Sequence, residues 1–316
     1  MNASKRIKVA IIGLGDIARK VYLPILSVHP SVEIVGVLNR SFTKVEEVMH
    51  LYRIPKGTSS MKELLSWELD AVFIHSSTES HFEIVMACIE KGIAVYVDKP
   101  LSYHLKESIE MVAFSESVNV LLAVGFNRRF APLYRDARDW IVEKGNIENM
   151  SLSKHRSKLS TDSARVTVYD DFIHMIDTLL WFSEEDVEWI SHGLHMNSSG
   201  SLLQGYGHIR FGKNKENFGT ISTHRLAGTD LERVELHGHH RSIVVEQMET
   251  ARRWEPNSGE SIRTFGSWDS ILDRRGFTFA VQHFLDHIGK EPEQCELHAA
   301  HVLASHEVAE QILSKT

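Results

Sequence analysis

The chain has 316 residues, 42% of them apolar and 24% charged, which is the mix of a soluble globular protein and long enough for two domains. A net charge of −7 and a pI near 6.3 argue against nucleic acid as a partner, since phosphate binding calls for a basic excess. Two cysteines, Cys88 and Cys295, allow one bridge at most and exclude a disulfide framework, and no apolar run reaches membrane-spanning length.

The N-terminal stretch MNASKRIKVAIIGLG has a charged start and a short apolar run that passes straight into a glycine motif. Without a small-residue cleavage pattern it reads as a first strand, not a signal peptide, and a cytoplasmic location is expected. Short β-branched runs then recur at Ile7–Ile12, Val32–Leu38, Asp70–His75, Ala94–Asp98 and Val120–Gly125. Helical stretches separate them, near Asp16–Val28, Thr43–Arg53, Ser60–Trp67, Ser80–Lys91 and His104–Ser117. Nearly all-apolar strands alternating with helices predict a parallel sheet covered on both faces, wound in the α/β manner of a Rossmann domain. Cys88 falls in one of these helices, where a buried small hydrophobe is the expected role.

After Gly125 the rhythm changes. A helix is predicted over Pro132–Lys144, a β segment over Ile147–Arg156, a polar loop over Ser157–Arg165 and a helix from about Asp170 to Phe182. From Val187 to about Glu255 strands follow one another, with turn signals at Asn197–Gly200, Gly212–Asn214, Gly228–Asp230 and Gly238–His240. That succession predicts a largely antiparallel open sheet. Helices near Phe277–Ile288 and Leu297–Ser314 complete an α+β domain. The expected division is 1–124 for a dinucleotide-binding domain and 125–316 for a second domain that holds the substrate.

Gly13-Leu14-Gly15-Asp16-Ile17-Ala18 fits G-x-G-x-x-A, between a strand and a helix. The first glycine permits the tight turn and the second lets the backbone approach a pyrophosphate. Small Ala18 lets helix and strand pack closely, and the helix N-terminus faces the anion. The second strand ends in Leu38-Asn39-Arg40-Ser41. An acid there would take the ribose hydroxyls of NAD, but Arg40 and Ser41 suit a 2′-phosphate, so NADP(H) is expected over NAD(H).

Asp98-Lys99-Pro100 follows an apolar strand and so lies at the carboxyl edge of the sheet, where ligands of open α/β sheets bind. Proline holds Lys99 in an extended backbone, and an ammonium beside a nicotinamide can stabilise the substrate oxygen. In Tyr169–Leu180, Asp170, His174 and Asp177 share one stripe at about 100° per residue. A histidine bracketed by carboxylates is oriented and biased toward protonation, as an acid/base should be. The competing reading is an N-cap at Asp170 or Asp171 followed by a wet face.

The stretches Gly13–Ala18, His75–His81, Asp98–Pro100, Gly125–Tyr134 and Asp170–Asp177 together resemble the Gfo/Idh/MocA oxidoreductase family, and within it the MviM-type members. The resemblance implies that Lys99 and His174 flank the reacting carbon, with Asp170 supporting His174. It also implies that Ser76, His81, Asp98 and Asn127 lie along the cofactor path. Asp98 stands where the family usually has Glu, and Ser77 where it usually has Pro. A sugar or polyol-like substrate, self-association into a dimer or tetramer through the open sheet, and hydride transfer to or from a carbinol carbon are implied in the same way. Two other readings stay open: a dinucleotide-binding sensor without turnover, and reduction of an imine or conjugated double bond.

Among 19 histidines, His237-Gly238-His239-His240 is the densest cluster, but it reads as a hairpin turn, and no metal is expected. Lys154 and Arg156 alternate onto one face of a predicted strand and, with His224-Arg225, would suit an anionic substrate if they faced the site. A solvated surface is the competing reading for them, and a core position for Tyr206, Trp254 and Trp268.

Overall fold

Strands buried on both faces need helices above and below them, and the N-terminal half of the chain meets that demand with six parallel strands. The computed structural model describes residues 6–184 and 187–314; the charged start, residues 1–5, lies outside them. Strands β1 (Ile7–Ile12), β2 (Val32–Leu38), β3 (Lys56–Thr58), β4 (Ala71–Ile74), β5 (Ala94–Val97) and β6 (Leu122–Val124) lie in the order β3-β2-β1-β4-β5-β6. Every residue of β4 and β5 is buried, as a doubly covered sheet requires. The order reverses between β1 and β4, which opens a crevice at the strands' carboxyl ends.

Strand β3 was not foreseen, because Lys56-Gly57-Thr58 has no β-branched run; it forms by pairing with Gly36–Leu38 at the sheet edge. Helices Phe42–Tyr52, His81–Glu90 and Leu105–Ser117 lie close to expectation. The helix expected over Ser60–Trp67 shrinks to Met61–Leu64, with Ser60 Oγ accepting the Glu63 N–H at 3.4 Å. The helix after the glycine loop contains a π-helical turn, Ala18–Tyr22, before it continues as Leu23–Val28.

The chain divides into two units. The first runs to Gly125 and also takes in Ala280–Leu303, a segment whose sequence pattern assigned it to the second. From helix Phe277–His287, Phe284 meets Phe73 and Tyr96 edge-on, each at a centroid distance of 5.4 Å. The Leu297 carbonyl then accepts the Val124 N–H at 2.9 Å, so the returning chain runs beside β6.

The second unit comprises Phe126–Phe279 and the chain from Ala304. Its sheet contains β7 (Asn149–His155), β8 (Glu188–Met196), β9 (Leu202–Phe211), β10 (Asn217–His224), β11 (Leu231–Gly238), β12 (Arg241–Glu246), β13 (Thr250–Glu255) and β14 (Gly259–Thr264). The order is β14-β13-β12-β11-β7-β10-β9-β8, antiparallel throughout except where β7 runs parallel to β10. Helices Pro132–Val142 and Ile173–Ser183 cover one face. The opposite face carries Ile190, Tyr206 and Phe218, each about half exposed, so Tyr206 is not a core residue. Trp254 is partly exposed and Trp268 almost fully so.

His239 and His240 both take positive φ, 48° and 61°, which makes them the turn between β11 and β12. Cys88 and Cys295 are buried free thiols. No helix among the described residues is long and apolar enough to cross a membrane.

Candidate functional site

In the first unit, β1 ends at Ile12 and the chain turns through Gly13, whose φ is +87°. A Cβ there would meet Ser76 N at 2.4 Å, so only glycine lets the loop sit against the end of β4. Gly15 is the opposite case: its Cβ direction meets nothing within 4 Å and opens on a crevice of about 380 Å³. The loop is held from β2, where the Leu38 carbonyl accepts the Gly13 N–H at 2.8 Å and Asn39 Oδ1 accepts the Leu14 N–H at 3.1 Å. Asn39 thereby shapes the loop, and its own amide donates to the Ser41 carbonyl at 3.3 Å.

Asp16 is exposed and paired with Lys20 at 2.7 Å, Ile17 is half-buried and Ala18 is fully buried against the sheet. Arg40 and Lys44 line the crevice with exposed side chains, and no ion pair among the described residues engages Arg40. An open glycine cradle, a helix start and two free-standing cations fit the pyrophosphate and ribose end of a dinucleotide.

The far wall is the end of β4. Ser80 Oγ donates to Ser76 Oγ at 2.9 Å, and Ser77 has φ −66° and ψ 144°. That is an extended backbone with the φ that proline itself adopts. His81, 1% exposed, bridges the Pro100 carbonyl at 3.0 Å and the Ser76 carbonyl at 3.3 Å. Burial lowers its pKa against the pull of those carbonyls. His81 ties the Asp98-Lys99-Pro100 turn to β4. Within that turn Asp98 Oδ1 accepts the Lys99 N–H at 2.9 Å, the Lys99–Pro100 peptide is cis, and Lys99 is half-buried.

His75 also lines the crevice, stacked on Tyr22 at 3.8 Å, and neither ring nitrogen has a hydrogen-bond partner among the described residues. Burial pushes its pKa down to about 3. The unfolded chain, with an ordinary value near 6.5, binds a proton that the folded chain refuses between about pH 6.5 and 3, so folding weakens as pH falls through that window. Urea unfolding of His75→Phe, which keeps the ring stack, is expected to remove a slope of up to about 1.4 kcal/mol per pH unit there. An unchanged slope would mean that other groups carry it.

In the second unit, the helix that bears His174 begins at Ala164–Thr167, with Ser163 Oγ accepting the Val166 N–H, passes through a π-helical turn, Val168–Phe172, and continues as Ile173–Ser183. Such turns rotate the residues before them relative to those after and recur at functional sites. Asp170 is half-buried, and His174 is 8% exposed with its ring edge-on to Phe126 at 6.3 Å. Asp177 does not form a wet face with them. It is fully buried, receives Arg129 Nη2 at 2.7 Å and Nε at 3.0 Å, and accepts Ser305 Oγ at 2.9 Å. Asn127, 3% exposed, is in this unit and donates to the Arg275 carbonyl at 2.7 Å.

Asp171, read from sequence only as a possible cap, is the centre of a charged cluster. Its carboxylate takes Lys154 Nζ at 2.5 Å, Arg156 Nη2 at 3.0 Å, and Arg225. Burial opposes ionisation of Asp171, but Lys154 and Arg156 overcome it and hold the carboxyl well below its usual range. Lys154 itself is 2% exposed, and burial, with Arg128 nearby, lowers its pKa to about 7 in spite of Asp171. A second buried pair adjoins, with Arg128 forked onto Glu232 at 2.7 and 2.8 Å and Tyr134 donating to the same carboxylate at 3.0 Å. The signal for Lys154 was present in β7, where Met150, Leu152 and Lys154 alternate onto the buried face.

Residues 7–126 match the Gfo/Idh/MocA oxidoreductase family model, described as an NAD-binding Rossmann fold, and residues 132–256 match the YceM-like C-terminal domain. YceM of Salmonella typhimurium, which carries an oxidoreductase name, is 34% identical over 285 residues, 89% of each chain. The crystal structure of a dehydrogenase, MviM, from Clostridium difficile is 32% identical, with a TM-score of 0.91 over 99% of this chain and 100% of that one. Inositol 2-dehydrogenase 3 of Saccharopolyspora erythraea is 29% identical over 57% of this chain and 55% of its own. Likeness of that extent, carried by both units, goes beyond a shared fold: the chain belongs to the Gfo/Idh/MocA family and is an NAD(P)-dependent oxidoreductase.

Proposed function

We propose that the protein transfers hydride between NADP(H), in preference to NAD(H), and a carbinol or carbonyl carbon of a sugar or polyol-like substrate. The crevice beside Gly15 carries the cofactor part of this reading: it is flanked by exposed Arg40 and Lys44, and no acid stands at the end of β2 to claim a ribose 2′-hydroxyl. Gly13, Gly15, Asp16, Ile17, Ala18, Asn39, Arg40, Ser41, Ser76, His81, Asp98, Lys99 and Asn127 are the residues assigned to cofactor binding. When bound, the nicotinamide is the hydride donor or acceptor.

The chain's own residues handle the proton. His174 is assigned as acid/base at the substrate oxygen, Asp170 as its support, and Lys99 as the cation that stabilises that oxygen through Nζ. The inositol dehydrogenase relative supports a polyol. The basic groups around Asp171, namely Lys154, Arg225 and an Arg156 shared with Asp230, support a sugar acid or phosphorylated sugar within that class. The half-exposed Ile190, Tyr206 and Phe218 support self-association through the open sheet face.

Fluorescence titration with NADPH and NADH tests the cofactor preference. Arg40→Ser is expected to weaken NADPH binding by about 10- to 100-fold, the worth of a charge-assisted hydrogen bond of about 1.5–3 kcal/mol, with little effect on NADH. Tighter NADH binding by the unaltered protein would overturn the preference. A panel of polyols, aldoses and sugar acids, followed at the nicotinamide absorbance, tests turnover; tight cofactor binding without turnover on any of them favours a sensor.

A further inference from the structure

We propose that His283, His287 and Cys295, in the first unit, form a binding site for a zinc-class divalent ion, with two imidazole nitrogens and one thiolate as ligands. One ligand atom from each of the three lies within 4.8 Å of the others. Around a tetrahedral zinc, at about 2.0–2.1 Å to nitrogen and 2.3 Å to sulfur, such atoms stand about 3.3–3.6 Å apart. Rotamer adjustments on the order of 1 Å bridge the difference. Cys295 is a free, buried thiol, and two imidazoles with one thiolate form a donor set of the borderline softness that zinc prefers.

Local folding presents these atoms for a physical reason. His283 and His287 are four residues apart in helix Phe277–His287, so their rings share a face, with centroids 4.2 Å apart. His287 Nδ1 lies 2.7 Å from the His283 carbonyl, which can only accept. The proton of the neutral His287 ring is therefore on Nδ1, and Nε2 carries the lone pair. His283 Nε2 accepts the Glu296 N–H at 2.9 Å, so its lone pair is already aimed at the segment that carries Cys295. The cost is this bond, which an ion at Nε2 displaces.

Both sides of the site are anchored. Phe284 fixes the helix on Phe73 and Tyr96, and Gly289, with φ +78°, lets the chain turn back after it. The returning segment is tied to β6 through the Leu297 carbonyl. Three protein ligands leave a fourth position for water, so the ion acts as a clip between the helix and that segment. This is a different place from the His237–His240 turn, and the sequence hides it because the third ligand lies beyond a turn and a short helix, Pro292–Gln294.

The test uses the full chain prepared without an affinity tag, stripped with a chelator and titrated with Co2+. About one equivalent is expected to bind, with the near-ultraviolet thiolate-to-cobalt charge-transfer band and the intense visible bands of a tetrahedral ion. Cys295→Ser should abolish the charge-transfer band, His287→Gln should weaken Co2+ and Zn2+ binding by about tenfold or more, and Cys88→Ser should leave the spectrum unchanged. Should Cys295→Ser fail to fold, the half-buried His287 position still decides through affinity. Absence of the charge-transfer band at excess Co2+, its survival in Cys295→Ser, or wild-type affinity in His287→Gln overturns the proposal.

Discussion

Replacing Asp177 by alanine is expected to lower the unfolding free energy by about 3–5 kcal/mol, measured by urea denaturation at neutral pH. The residue is fully buried, and its carboxylate is the partner of Arg129, itself 6% exposed. Removing the acid takes from the buried guanidinium the carboxylate on which it is forked, and Ser305 loses its acceptor. Arg129→Met should be comparably harmful, because it strands the carboxylate instead. The double variant, in which neither charge is left alone, should lose clearly less than the sum of the two. A loss below about 1 kcal/mol for Asp177→Ala would mean that water or another group replaces the pair.

The second large effect concerns catalysis. With any substrate that the sugar and polyol panel identifies, His174→Ala should reduce kcat by about 10²–10⁴, the usual worth of a placed acid/base, while cofactor affinity stays near its normal value. A single-digit loss removes His174 from proton transfer. Loss of cofactor affinity in step with kcat would mean that the substitution disturbs the fold around Phe126 and not the chemistry, since the two rings meet edge-on. Asp177→Ala, one turn further along the same helix, serves as the comparison for an effect of helix packing alone.

Much of this was legible in advance, and the reasons differ by element. The glycine loop could be read because a turn with φ +87° against a neighbouring strand tolerates one residue type, so the chemistry appears in the letters themselves. Strands β1, β2, β4, β5 and β6 could be read because burial on both faces demands unbroken apolar runs. Strand β3 has only three residues and no such run; pairing at an edge made it, and pairing partners are invisible locally. The polar stripe on the His174 helix misled for a related reason. Regular 100° spacing fails across the π-helical turn, and a buried carboxylate whose partner lies 48 residues away looks the same in sequence as a solvated one. Lys154 was the reverse case. Its alternation with Met150 and Leu152 pointed inward, and only the habit of placing lysine in water argued otherwise.

The return of Ala280–Leu303 to the first unit means that this unit is interrupted: a stretch running from Phe126 to Phe279 is inserted into it. During synthesis the parallel sheet therefore waits, with Phe73 and Tyr96 lacking their Phe284 cover, until the whole second sheet has been made. A fragment cut at Gly125 would carry the entire nucleotide-binding fingerprint and still leave that aromatic pair open to water. The polypeptide is two units in space but one obligate unit in manufacture.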